Sequence, residues 1–129
     1  MTIKLFLQAI ITFLLIDSIW ITQVAGPWMR KATPHLMAEN PNLIAALVFY
    51  VLYIAILLFL VVMPALNGKV AMSTLALQAF LFGLVCYATY DLTNLAVMKG
   101  YPWTMALADM LWGGVLTMVT ALIVYKMNA

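Results

Sequence analysis

Four long apolar stretches dominate the chain and restrict it to one kind of solvent. They cover residues 5–25, 43–63, 70–98 and 103–125, and each reaches the roughly 20 residues that an α-helix needs to cross a bilayer core. Lipid offers the backbone no hydrogen-bond partners, so a spanning segment of this length must be helical. The sequence therefore predicts an all-α integral membrane protein with four transmembrane helices.

The amino-acid composition excludes a soluble domain. Of the 129 residues, 67% are hydrophobic and 8% are charged, whereas soluble domains carry about 25% charged residues. The six basic residues are scattered and form no basic stripe of the kind that nucleic-acid binding requires. Membrane lipids are the expected partners and nucleic acid is not. With one cysteine and one histidine, the chain predicts no metal site.

Short connections rich in proline and glycine separate the four stretches. They cover residues 26–42, 64–69 and 99–102, so consecutive spans are expected to pack as antiparallel neighbours in one domain of residues 1–129. In the longest connection Thr33 precedes Pro34, as an N-cap precedes proline in the first helical turn. We therefore expect a short interfacial helix at about residues 35–40.

Four spans put both termini on one side of the membrane, which we call the near face; the opposite side is the far face. The positive-inside rule does not orient the protein, because the basic residues divide equally between the two faces. The near face carries Lys4, Lys69 and Lys126, and the far face carries Arg30, Lys31 and Lys99. Trp28, Tyr101 and Trp103 are expected in an aromatic belt at the far face.

Three aspartates, Asp17, Asp91 and Asp109, lie inside predicted spans. An aspartate at the centre of a membrane helix costs about 2.5–3.5 kcal/mol. Counted from the far ends of their spans, the three side chains lie about 9–12 Å deep at 1.5 Å per residue, so they share one layer. Such a layer needs hydrogen-bond partners, protons, a cation or a water-filled cavity, and the sequence leaves the choice open.

Residues three or four positions apart share one face of a helix, and this spacing groups small and polar residues with two of the acids. On the third span the strip comprises Ala79, Gly83, Tyr87, Asp91 and Asn94; on the fourth it comprises Asp109, Trp112, Gly113 and Thr117. Small residues allow close helix contact and polar residues bond across it. The third and fourth spans are therefore expected to pack along these strips.

Motifs along the whole chain resemble the small bacterial membrane family catalogued as a domain of unknown function (DUF2177). They are Asp17-x-x-Trp20, Pro41-Asn42, Phe49-Tyr50-x-x-Tyr53, Tyr90-Asp91-Leu92-Thr93-Asn94, Trp103 and Asp109-x-x-Trp112-Gly113. The resemblance implies a multi-pass protein of the bacterial inner membrane and carries no activity with it. The two similar Asp-x-x-Trp motifs also hint at an inverted repeat.

The acidic layer predicts a polar pocket about 10 Å beneath the far face. Its expected residues are Asp17, Trp20, Tyr50, Tyr53, Tyr87, Tyr90, Asp91, Asn94, Asp109 and Trp112. Carboxylates supply negative charge and aromatic rings supply cation–π contacts. The leading hypothesis is therefore a site that binds a small cationic or amphipathic, lipid-like ligand.

Three other functions fit the same layer. A proton- or cation-coupled small transporter uses a membrane carboxylate for coupling, and a lipid-modifying enzyme uses one protonated and one ionised aspartate as acid and base. A structural or assembly subunit uses the polar groups only to join helices. A bundle this small offers little volume for a transport path, so we expect a homodimer.

Overall fold

The computed structural model describes residues 2–37, 40–68 and 70–129, and within these ranges the chain is helical, without strands. Four helices are long and apolar enough to cross a membrane: α1 (Ile3–Ala32), α2 (Leu43–Gly68), α3 (Met72–Val97) and α4 (Trp103–Asn128). The predicted four-helix membrane bundle is confirmed. Lys69, one of the basic residues assigned to the near face, lies outside the described ranges.

The bundle is built around α4, which contacts each of the other three helices. Its core contains large apolar side chains from every helix, among them Phe13, Ile54, Leu75 and Leu116. At the near face the side chain of Asn128 donates a hydrogen bond of 2.7 Å to Gln8 Oε1. This contact joins the end of α4 to the beginning of α1 and is consistent with their antiparallel arrangement.

The contact between α3 and α4 is close because glycines lie in it. A Cβ atom added to Gly83 would overlap the carbonyl of Gly113 and the side chain of Thr117, and one added to Gly113 would overlap the ring of Tyr87. The two helices therefore pack along the predicted strips. Small residues commonly allow membrane helices to approach each other this closely.

Two π-helical turns interrupt the helices on the other side of the bundle. They cover Ile21–Ala25 in α1 and Leu58–Val62 in α2, and each ends two residues before a proline, Pro27 or Pro64. Proline lacks an amide proton, and its ring crowds the carbonyl four residues earlier in a regular α-helix. The wider π turn, with bonds to the fifth preceding residue, relieves both constraints.

The helices consequently continue where the sequence predicted connections. α1 extends seven residues past its π turn, over Gly26–Ala32, and α2 ends in the six-residue segment Met63–Gly68. Proline and glycine at these positions indicate a break in ordinary helices. The π turns remove that break, so the membrane-crossing helices are longer than predicted at these ends.

The connection between α1 and α2 contains one 3₁₀ turn, Pro34–Leu36. This turn stands in the place of the expected short interfacial helix, whose predicted continuation over residues 38 and 39 lies outside the described residues. Thr33 does not act as its N-cap. Its hydroxyl donates instead to the Met29 carbonyl at 3.1 Å. Because α1 reaches Ala32, this carbonyl lies in the last turn of the helix, within reach of Thr33.

Candidate functional site

A cavity of about 500 Å³ lies between the four helices in the half of the bundle nearer the far face. Six of the ten predicted site residues line it: Asp17, Trp20, Tyr50, Tyr87, Tyr90 and Asp109. Six further residues complete the walls: Ile21, Ala25, Ala45, Ala46, Phe49 and Cys86. The cavity thus combines two carboxyl groups with aromatic and small apolar side chains.

Two stacked tryptophans join α1 to α4 beside this cavity. Trp112 Nε1 donates to Asp17 Oδ1 at 3.0 Å, and Trp20 Nε1 donates to Asp109 Oδ1 at 3.2 Å. The two indole rings are nearly parallel, at 9°, with centroids 5.0 Å apart. Each Asp-x-x-Trp motif therefore supplies the donor for the aspartate of the other motif.

Asp17 has a hydrogen-bond donor on each carboxyl oxygen. Tyr50 OH donates to Oδ2 at 2.8 Å, in addition to the Trp112 bond on Oδ1, and the residue is 4% exposed. Phe13 packs edge-on against Tyr50 and so holds the phenol ring in place. Two donors on a buried carboxylate offset much of the cost of removing it from water.

Asp91 is in a different environment. It is completely buried, and its Oδ1 accepts a 3.0 Å hydrogen bond from Tyr101 OH. Its Oδ2 has no hydrogen-bond partner among the residues that the structure describes. An unsatisfied buried carboxyl oxygen is costly, so this atom requires an explanation.

Tyr101 lies in the connection between α3 and α4 and is 7% exposed. It does not belong to the aromatic belt predicted at the far face, because its ring enters the bundle to reach Asp91. Burial raises the pKa of the Tyr101 phenol well above its usual value, so the hydroxyl keeps its proton and acts as a donor. Sequence reasoning missed this role, since spacing rules for helices do not extend into a connection.

The other predicted residues lie outside the cavity wall. Tyr53 OH and Thr117 Oγ1 form a buried 2.7 Å hydrogen bond that joins α2 to α4. Trp112 lies behind the stacked Trp20, and Asn94 is partly buried on α3. Neither these residues nor Asp91 lines the cavity.

The ionisable side chains of the cavity wall are mainly acidic. Among the residues that the structure describes, the wall contains Asp17 and Asp109 and no lysine, arginine or histidine. Within the described part of the chain, no cluster of three or more histidine, cysteine, aspartate or glutamate side chains has metal-binding geometry. The arrangement can therefore attract a positive charge and surround it with aromatic rings.

The apolar walls could not be identified from the sequence. Ala45, Ala46 and Cys86 are ordinary residues for a membrane helix, and nothing in their spacing indicates an empty volume beside them. Ile21 and Ala25 belong to the π turn of α1. A π turn inside an α-helix often marks a functional position. In the sequence, the nearby Pro27 was the one residue that could have indicated this turn.

Comparison with known proteins gives one match. A family model described as "Predicted membrane protein (DUF2177)" matches residues 2–126. No curated protein and no solved structure matches the chain. The matched range includes the three aspartates and every residue that lines the cavity.

Proposed function

The chain belongs to the DUF2177 family of predicted membrane proteins, and we propose that it binds a small cationic or amphipathic, lipid-like molecule in its cavity. One observation carries the proposal: two carboxyl groups and five aromatic side chains share a single cavity of about 500 Å³, and no basic residue of the described ranges lines it. Ligand sites commonly have volumes of about 300–1,000 Å³.

Asp109 is the carboxylate available to a ligand. Asp17 has a donor on both oxygens, whereas Asp109 is only partly buried and accepts the Trp20 bond on Oδ1. A cation in the cavity therefore finds its counter-charge at Asp109 Oδ2. The nearby Asp17 adds a weaker attraction through space.

Aromatic side chains provide the second component of recognition. The rings of Trp20, Phe49, Tyr50, Tyr87 and Tyr90 line the cavity, and an aromatic face attracts a cation within about 6 Å. A quaternary ammonium or phosphonium group suits such a site, because it is bulky and donates no hydrogen bonds. The expected ligand is thus an organic cation rather than a metal ion.

The cavity wall favours entry from the lipid rather than from water alone. Small side chains, Ala25 on α1 and Ala45 and Ala46 on α2, leave space between these two helices. Beside them Ile21 is 44% exposed and Phe49 is 46% exposed, and in a bilayer these apolar surfaces contact acyl chains. An amphipathic ligand can therefore place its head group in the cavity and its tail in the membrane.

The proposal is tested with two ions of the same shape and opposite charge, tetraphenylphosphonium and tetraphenylborate. Binding to the protein in lipid discs is measured by equilibrium dialysis, with empty discs subtracted. We expect the wild-type protein to prefer the cation, and Asp109→Asn to weaken cation binding about tenfold, or about 1.4 kcal/mol. Ser18→Ala, on an exposed position of α1, is the matched control.

Equal affinity for the two ions, or an Asp109→Asn variant that binds the cation as the wild type does, contradicts the proposal. A natural ligand is sought in parallel by native mass spectrometry of protein released from lipid discs. A retained mass that disappears in Asp109→Asn and persists in Ser18→Ala supports the proposed site and gives the ligand's mass.

Two accompanying proposals concern the setting of the protein. It is a multi-pass membrane protein, and we propose the bacterial inner membrane as its location because of the resemblance described above. We also propose a homodimer, since one small bundle encloses little volume. The same native spectra report the number of subunits, and a monomer as the sole species contradicts the dimer.

A further inference from the structure

The close contact between α3 and α4 brings two carboxyl groups together. Gly83 faces Thr117, and one helical turn further along Tyr87 faces Gly113. In an antiparallel pair the next turn places Asp91 opposite Asp109. The register of this contact therefore brings the two carboxyl groups close to each other.

One of the two carboxyl groups, that of Asp91, has an oxygen without a hydrogen bond. Asp91 is completely buried, Tyr101 occupies its Oδ1, and Oδ2 lacks a partner among the described residues. Two adjacent carboxylates in a low-dielectric region repel each other, and neither has a proton to donate. One proton held between them removes the repulsion and gives the unsatisfied oxygen its hydrogen bond.

We propose that Asp91 and Asp109 share one proton and that a cation entering the cavity displaces it. The displacement rests on the proposed function, because it needs a cation to bind at Asp109. The shared proton does not, since it follows from the buried pair alone. The site is then one where cation binding and proton release are linked.

The exchange conserves charge. The cation approaches Asp109 from the cavity, the O–H bond of the carboxyl pair breaks, and a water molecule accepts the proton and delivers it to the aqueous buffer. One positive charge enters and one leaves, so the buried pair carries one positive counter-charge before and after. Other ionisable groups around the pair are Asp17 from α1, Tyr87 and Tyr90 on α3, and Tyr101 from the connection.

The shared proton is tested by infrared spectroscopy of the protein in lipid discs at neutral pH without a probe. A protonated carboxyl group has a carbonyl band well separated from carboxylate bands. We expect this band in the wild type and in Asp17→Asn. We expect it to be lost in Asp91→Asn, because the amide NH2 of the asparagine then donates the hydrogen bond that the shared proton provided. A wild type without the band, or loss confined to Asp17→Asn, overturns the proposal.

Tyr101→Phe keeps the test decisive if Asp91→Asn fails to fold. This variant removes the hydrogen bond to Asp91 Oδ1 and leaves both carboxyl groups in place. A carbonyl that loses a hydrogen bond vibrates at higher frequency, so the band should remain and move upward. A band that does not respond to Tyr101→Phe belongs to another carboxyl group and contradicts the assignment.

The displacement is tested by adding tetraphenylphosphonium to the same samples. We expect the carbonyl band to disappear and about one proton to be released per bound cation, measured with an indicator in weak buffer. Binding with an unchanged band overturns the exchange while the proposed function stands. Absence of binding overturns the exchange and the proposed function together, and the infrared band measured without the probe still decides whether the proton is shared.

Discussion

The two halves of the bundle differ in the regularity of their helices. α3 and α4 are uninterrupted helices of 26 residues each, and glycine contacts hold them close together. α1 and α2 each contain a π turn followed by a proline, and together they supply eight of the twelve residues that line the cavity. The two π turns also differ from each other: the one in α1 lines the cavity and has no buried residue, whereas the one in α2 is packed in the core, with Leu58 and Val62 fully buried.

A physical reason connects these features. Glycines let two helices approach closely along a continuous contact, and an irregular turn in either helix would break the register of that contact. A π turn adds one residue to a helix and disturbs the hydrogen-bond ladder, and in α1 it does so at residues of which none is buried. The α3–α4 pair is therefore the rigid frame, and α1 is the adjustable wall of the site.

The largest predicted effect comes from breaking the frame. Gly83→Ala places a methyl group against the backbone carbonyl of Gly113, which cannot move without separating the helices. We expect a loss of about 3 kcal/mol in the free energy of unfolding, measured by reversible denaturation in mixed micelles.

Gly114→Ala is the matched control for that variant. Its methyl group meets ring atoms of Phe80, and a side chain moves more easily than a backbone, so a loss of about 1 kcal/mol is expected. Equal losses in the two alanine variants would show that the backbone contact between Gly83 and Gly113 yields as easily as the side chain of Phe80.

The second-largest predicted effect tests the hydrogen bonds that connect α1 to α4. Trp112→Phe removes the donor to Asp17 Oδ1 and leaves an oxygen of a residue that is 4% exposed without a partner. Trp20→Phe removes the reciprocal donor to Asp109, whose partly exposed carboxyl group has access to the cavity. We expect losses in unfolding free energy of about 2 and about 1 kcal/mol, respectively.

Both tryptophan variants are compared in the denaturation assay that serves the glycine variants, and each retains an aromatic ring for stacking. The difference between them therefore reports the hydrogen bonds rather than the loss of ring contacts. A larger loss for Trp20→Phe would reverse the assignment of Asp17 as the more enclosed acid.

A smaller effect concerns the attachment of α2 to the frame. Tyr53→Phe removes the buried hydrogen bond to Thr117, and interhelical hydrogen bonds in membranes contribute about 0.6–1.7 kcal/mol. We expect a loss of about 1 kcal/mol. In combination with Thr117→Val the two losses should not add, and full additivity would mean that the hydroxyl groups act separately.

The smallest effect on stability, and the sharpest test of the adjustable wall, comes from the prolines. Pro27→Ala allows the π turn that contains Ile21 and Ala25 to relax to a regular helix, which changes the cavity wall. We expect a change in unfolding free energy below about 1 kcal/mol and a measurable change in tetraphenylphosphonium affinity.

Pro64→Ala provides the control, because its π turn, Leu58–Val62, does not line the cavity. Cation affinity should stay at the wild-type value in that variant. Equal changes in affinity for the two proline variants would remove the link between the π turn of α1 and the site.

Much of this architecture followed from the sequence because a bilayer leaves few alternatives. The shared depth of Asp17, Asp91 and Asp109, counted along the helices, stays a prediction, but span length predicted the four helices that the structure shows. Helical spacing also predicted the strips that join α3 to α4. These inferences succeed because each depends on one helix and a fixed rise per residue.

The features that were not predicted depend on the meeting of several segments. Pro27 and Pro64 indicated helix ends by a rule that holds for regular α-helices. The turns before these prolines are π-helical instead, so the helices continue past them. Tyr101 reaches Asp91 from a connection, for which no periodicity exists. The cavity beside Ala45 and Ala46 is a property of the space between helices rather than of either residue.

The reciprocal tryptophan bonds also set an order of events during biosynthesis. A chain enters the membrane from its N-terminus, so Asp17 is inserted long before its donor Trp112, which lies 95 residues later. Tyr50 arrives in between and satisfies one oxygen, but the second waits for the last helix. A ribosome-bound chain that ends before α4 therefore holds an incompletely paired acid in the bilayer, and the pairing of Asp17 is complete only after α4 has been made.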